Sequence, residues 1–243
     1  MITKKLRKTT FGILVLVSTI IFFSGCATAE SFNKPSRSID YLPNRLVLLE
    51  DGCPKVPVEI KFRVSCRKLD QSARKGTHAQ LLLDALILAS KNLKLSFGEV
   101  VFIDVTDSEN TVTAYSLIQG ANLALSLSPN VVNVSYSIPN RNADLEEVFN
   151  RLTRNNVKIF ASFSNLYLEE ESYPAMFSSV VGVKIGQKFS RENDGSLVLK
   201  ESFVKQFSTD RPSTSIASVL AAAAWLNCPK NDVGNFPYFT VCT

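Results

Sequence analysis

The sequence predicts an α/β fold in three layers, a mostly parallel sheet with helices on both faces. Five short runs carry the first part of that expectation: RLVLL (45–49), VVFIDV (100–105), VVNVSY (131–136), KIFASF (158–163) and VVGVKI (180–185). Each is almost continuously apolar, as strands buried on both faces of a parallel sheet are. Between them lie longer windows of helical length and periodicity: 77–92, 113–128, 143–156 and 214–226. Strand and helix alternate through short connections, which is the pattern of βαβ units.

The elements follow in order after an N-terminal leader. MITKKLRK is basic, FGILVLVSTIIFF is apolar, and FSGC follows. That order reads as a secretory signal; the apolar run is short of the roughly 20 residues of a membrane span. Ser24 and Gly25 directly before Cys26 resemble a bacterial lipobox, which implies that Cys26 is lipidated and becomes the mature N-terminus. The alternative is an ordinary signal peptide with a free Cys26. On the lipobox reading the protein is an exported, membrane-anchored lipoprotein of the bacterial cell envelope, on the periplasmic or outer-membrane side, with membrane lipid as its partner. Residues 1–25 are then the signal peptide, 26–42 a polar tether (ATAESFNKPSRSIDYL falls in it), and 43–243 a single domain.

The formal net charge of +5 misleads, because four of the 27 basic residues lie in the leader. The remaining 23 nearly balance 22 acidic residues. No basic stripe argues for nucleic acid. Apart from Cys26, the cysteines are Cys53, Cys66, Cys228 and Cys242, an even set that in an exported chain points to disulfides. The preferred pairs are 53–66 and 228–242, each closing a short loop. No metal is expected, since no CxxC spacing occurs and His78 is the sole histidine. No cofactor is expected either. EEES (169–172) reads as a solvated acidic turn rather than a calcium site, and no G-x-S-x-G elbow occurs.

Five segments taken in order resemble the subtilisin-like serine proteases. KGTHAQLLLDAL is similar to the H-G-T-H-V-A-G helix start, NVVNVSYSIP to D-V-I-N-M-S-L-G-G, and NNVKIFASFSN to G-V-V-V-V-A-A-A-G-N. YPAMFSSVVGVKIG resembles Y-P-A-x-Y-x-x-V-I-A-V-G-A, and STSIASVLAAAAWL resembles G-T-S-M-A-S-P-H-V-A-G-A-A-A-L. The resemblance spans about residues 45–226 and implies a subtilisin-like (peptidase family S8-like) fold. It puts Ser215 at the nucleophile position, at a helix N-terminus where free amides favour an oxyanion. It puts Asn165 at the oxyanion-hole position.

The same resemblance exposes departures. The position of the catalytic histidine is Lys75, while His78 matches the second, noncatalytic histidine of the motif and reads as locally packed; the alternative is that His78 moves into the base role. LLEDG places Glu50 near the catalytic aspartate position, where a salt bridge to Lys75 is expected. Ser137 and Ile138 stand where the family has the Gly-Gly wall of the S1 pocket, and TDSENTVT (106–113) lacks the glycine of the facing loop. Side chains at both would crowd an extended peptide. The expectation is therefore a pseudoprotease acting in binding or scaffolding, with a peptide or protein in its cleft. The alternative is a serine-type endopeptidase using a Ser215–Lys75 dyad.

Overall fold

The computed structural model describes residues 44–70, 77–109, 111–164, 172–208 and 211–228. In chain order the elements are β1 (Arg45–Glu50), β2 (Arg63–Lys68), α1 (Thr77–Asn92), β3 (Glu99–Asp104), α2 (Ala114–Ser126), β4 (Val131–Val134) and α3 (Ala143–Arg154). There follow β5 (Lys158–Ser162), β6 (Val181–Gly186), β7 (Ser190–Arg191), β8 (Leu197–Lys200), a single turn α4 (Glu201–Val204) and α5 (Thr214–Leu226). None of the described helices is long and apolar enough to cross a membrane.

The strands form one eight-stranded sheet in the order β2-β3-β1-β4-β5-β6-β8-β7. All pairings are parallel except β7 with β8. The alternation of side chains along a strand divides the core between the two faces. In β1, Leu46 and Leu48 point into the layer beneath α1 and α5, whereas Val47 and Leu49 point into the layer beneath α2 and α3. In β3, Val100 and Phe102 fall on the first side, Val101 and Ile103 on the second.

The helices differ as their surroundings require. In α3 only Leu145, Val148, Phe149 and Leu152 are buried, the i, i+3, i+4, i+7 stripe of a surface helix. The side chain of Asn142 caps it by accepting from Leu145 N at 2.9 Å. Helix α5 is buried along every residue but Trp225, so its alanine-rich sequence is that of a helix packed on all sides. On α2, a Cβ at Gly120 would come within 2.5 Å of Val105 Cγ1, which shows how closely this helix approaches the sheet.

Cys53 and Cys66 form a disulfide that ties the turn after β1 to β2. Closing a loop of that size restricts the unfolded chain by about 3 kcal/mol. Cys228 is disulfide-bonded as well; Cys242 and Cys26 lie outside the described residues.

Strand order reverses at β1: β3 and then β2 lie to one side, β4 and β5 to the other. Loops leaving the carboxyl ends of β1 and β4 therefore diverge, and the crevice so formed is where open α/β sheets bind ligands. The polar residues of this core collect there.

Candidate active site

Strand β1 delivers Glu50 to the crevice, fully buried. The next two residues turn the chain away, with Gly52 at φ 123°, a left-handed conformation that glycine adopts without strain. Helix α1 starts beside it. His78, in the first turn of α1, places Nδ1 2.8 Å from Glu50 Oε2. Asp51 Oδ1 accepts from Ala79 N at 3.1 Å, so an acidic side chain satisfies an N-terminal amide of the same helix.

The sequence motif put the base position at Lys75 and left Glu50 with no imidazole to orient. In the folded chain Glu50 holds His78; Lys75, its expected salt-bridge partner, lies outside the described residues. His78 sits in the first turn of α1, and glutamate reaches one methylene further than aspartate.

The electrostatics of the pair follow from burial and proximity. Desolvation is the largest influence on Glu50 and pushes its carboxyl above the ordinary range, while His78 and then Ser135 pull the other way. For His78, desolvation is again the largest influence and opposes the charge. The Glu50 carboxylate more than offsets it, so the imidazole is raised above its ordinary value. Tyr136 packs edge-on against His78 with ring centroids 6.0 Å apart. Its phenol is pushed up, first by burial and then by Glu50 and Asp51.

Asp104, at the end of β3 and in register with Glu50, is a second fully buried carboxylate. Its Oδ1 accepts from Thr106 N and Oγ1 at 3.1 and 2.5 Å. Glu50 Oε1 and Asp104 Oδ2 have no hydrogen-bond partner among the described residues.

Helix α5 brings Ser215 to the same end of the sheet. Ser213 caps the helix, its hydroxyl accepting from Ile216 N at 3.2 Å, and Thr214 Oγ1 donates to Phe163 O at 2.7 Å. Ser215 is 5% exposed. Among the described residues its hydroxyl donates to the Ser135 carbonyl at 3.4 Å, and it makes no hydrogen bond to His78. One turn on, Ser218 Oγ donates to Asn133 Oδ1, and Asn133 Nδ2 donates to Ser135 Oγ at 2.9 Å.

Ser137 Oγ donates to Ser162 O at 3.0 Å, bridging the chain beyond β4 to the end of β5. Asn165 lies outside the described residues, as do residues 169–171 of the acidic turn. The fourth residue of that turn, Ser172, is buried and accepts from Ser164 N at 3.0 Å.

The structure thus brings Glu50 and Ser215 to one end of the sheet and adds His78, Asp51, Ser135, Tyr136, Asn133 and Ser218. For His78 a signal existed, since it is the sole histidine and falls just inside a helix start. For the hydroxyl and amide network none did, because its links join residues 80 and 85 positions apart.

No protein-family profile and no curated protein matches the sequence. Solved structures do match. The self-cleaved protease domain of PatA is 16% identical, with 75% of this chain and 78% of that one covered and a TM-score of 0.51. The prenylagaramide maturation protease PagA is also 16% identical, with 75% and 73% covered and a TM-score of 0.50. The psychrophilic subtilisin-like protease Apa1 from the Antarctic psychrotroph Pseudoalteromonas sp. AS-11 is 13% identical, with 65% of this chain covered and a TM-score of 0.50. This chain spans only 39% of Apa1.

Proposed function

The chain has a subtilisin-like fold, and we propose that it is an exported, lipid-anchored pseudoprotease that binds a peptide or protein and does not cleave it. Export and anchoring rest on the leader and on Cys26 after Ser24-Gly25. The observation that carries the loss of turnover is the Ser137–Ser162 bridge. Ser137 stands where the resemblance puts the first glycine of the S1 wall, and its hydroxyl is tied to the end of β5. The Ser215 hydroxyl supports the same reading, because among the described residues it donates to a carbonyl and is not hydrogen-bonded to His78.

The Glu50–His78 pair favours a second reading, a serine-type peptidase with Ser215, His78 and Glu50 as nucleophile, base and orienting acid. In it His78 takes the role that a Ser215–Lys75 dyad would give to lysine. A serine rotamer change costs little, so the two readings separate by reactivity. The purified full chain is treated with a fluorophosphonate and its intact mass measured; no adduct is expected. A stoichiometric adduct, lost in both Ser215→Ala and His78→Ala, overturns the binding reading in favour of the second. If Lys75→Ala alone abolishes the adduct, the dyad is correct. Cys26→Ala is expected to move the protein from the membrane to the soluble fraction; retention in the membrane overturns lipid anchoring.

A further inference from the structure

We propose that Glu50, Asp51 and His78 form a binding site for a divalent transition-metal ion, with zinc the cation that their donors suit best. One donor atom from each lies within 4.8 Å of the others. The set is an imidazole nitrogen and two carboxylate oxygens, a borderline donor set that zinc takes in four-coordinate geometry with water in the remaining position. Calcium would want six to eight oxygens and magnesium an octahedron of them.

An independent observation points to a cation. Glu50 is fully buried, and its Oε1 has no donor among the described residues. The neighbouring strand adds Asp104, also fully buried, with Oδ2 in the same condition. Burying an ionised carboxylate is costly unless a cation or a proton offsets it, and among the described residues the basic group on Glu50 is one partly exposed imidazole. The surrounding shell is partly built: Ala79 N fixes Asp51 through Oδ1, and the Tyr136 ring packs edge-on against His78. Such outer partners orient metal ligands.

The rearrangement needed is small. His78 Nδ1 and Glu50 Oε2 stand 2.8 Å apart, whereas two ligands of a tetrahedral zinc are separated by about 3.4 Å. As the metal binds, the proton shared by that pair leaves for solvent, and two metal–ligand bonds replace one hydrogen bond. The inference rests on reading the site as one that binds, since a metal on His78 removes the base a hydrolase would need.

The test is calorimetric titration of the detergent-purified full chain with zinc chloride, calcium chloride serving as the control. One equivalent of zinc is expected with a Kd of about 1 µM or tighter, and no saturable calcium binding. His78→Ala and Asp51→Asn should each weaken zinc by about tenfold or more. Asp51→Asn keeps an acceptor for Ala79 N, so it separates lost ligation from lost folding, which far-UV circular dichroism checks. Cobalt provides a second readout through the visible absorption of a tetrahedral site. Absence of zinc binding, or binding unchanged in both variants, overturns the proposal. The fluorophosphonate experiment, run on metal-free protein, judges the binding reading separately: an adduct there overturns that reading, whereas zinc failure without an adduct overturns only the metal site.

Discussion

Helices α1 and α5 pack against each other and start at the same end of the sheet, but opposite chemistry anchors their first turns. At α1 the anchors are charged: Glu50 holds His78, and Asp51 holds the Ala79 amide. At α5 they are neutral hydroxyls, with Ser213 on the helix, Thr214 on Phe163 O, Ser215 on Ser135 O and Ser218 on Asn133. The imidazole is oriented as a reactive group would be. The serine is one of three hydroxyls that fasten a buried alanine-rich helix to the sheet side, beside the Ser213 cap. The contrast separates position in a motif from preparation for chemistry: among the described residues, the Ser215 hydroxyl bonds to a carbonyl and makes no hydrogen bond to the oriented imidazole.

The largest effect should come from breaking the charged anchor. His78→Ala leaves Glu50 buried without its partner. Removing one member of a buried pair typically costs about 3–5 kcal/mol. The His78 side chain is 27% exposed, so water reaches the gap and a loss of about 2–3 kcal/mol is expected. Urea unfolding at neutral pH measures it. A loss no greater than that of the hydroxyl variants below would erase the distinction between the two helix starts.

The hydroxyl network comes next. Ser218→Ala leaves the amide oxygen of Asn133, on a fully buried residue, without its donor, which should cost about 1–3 kcal/mol. Ser213→Ala removes the α5 cap and should cost about 1 kcal/mol. If the two are additive, the first turn of α5 is held by independent contacts; an excess in the double variant would mark them as one unit.

The legibility of the molecule in its sequence follows the same division. Strands β1, β3, β4, β5 and β6 and all four long helices stand out, because burial on both faces or on one stripe leaves a local pattern. Strand β2 does not: RVSCRK lies at the sheet edge with mostly half-exposed side chains, so neither an apolar run nor a clean alternation marks it. Strand β8 is four residues long, beyond a turn at Gly195, too short to be periodic. Within the site, Ser215 is legible because the residues that identify it are its neighbours. The partner of Glu50 is not, because the contact spans 28 residues and the motif draws the eye to Lys75. The missing CxxC spacing likewise says nothing about a donor set drawn from a strand end and a helix start.

A smaller effect sharpens the charged side through pH. Both members of the pair are raised above their ordinary values, Glu50 by burial and His78 by the carboxylate beside it. The folded pair therefore retains a proton to higher pH than the unfolded chain does, and stability falls as pH rises. The contribution of His78 should be complete below its unfolded value of 6.5 and disappear as pH passes through the raised folded value. Urea midpoints for the wild type and His78→Gln across that window should converge at the alkaline end. A constant gap would mean that His78 acts by packing alone.

The smallest effect is assigned to the most conspicuous residue. Ser215→Ala removes a hydrogen bond that at 3.4 Å is long and neutral, worth at most about 0.5–1 kcal/mol. It also replaces serine by the best helix former within the first turn of α5, which returns about 0.5 kcal/mol. The two nearly cancel, so stability should change by no more than about 0.5 kcal/mol in either direction. A loss well above that would make Ser215 a structural anchor like Ser218. A gain would resemble the cost that a hydroxyl carries when it is kept for chemistry, and it would move the comparison between the helix starts towards an active serine beside an oriented imidazole.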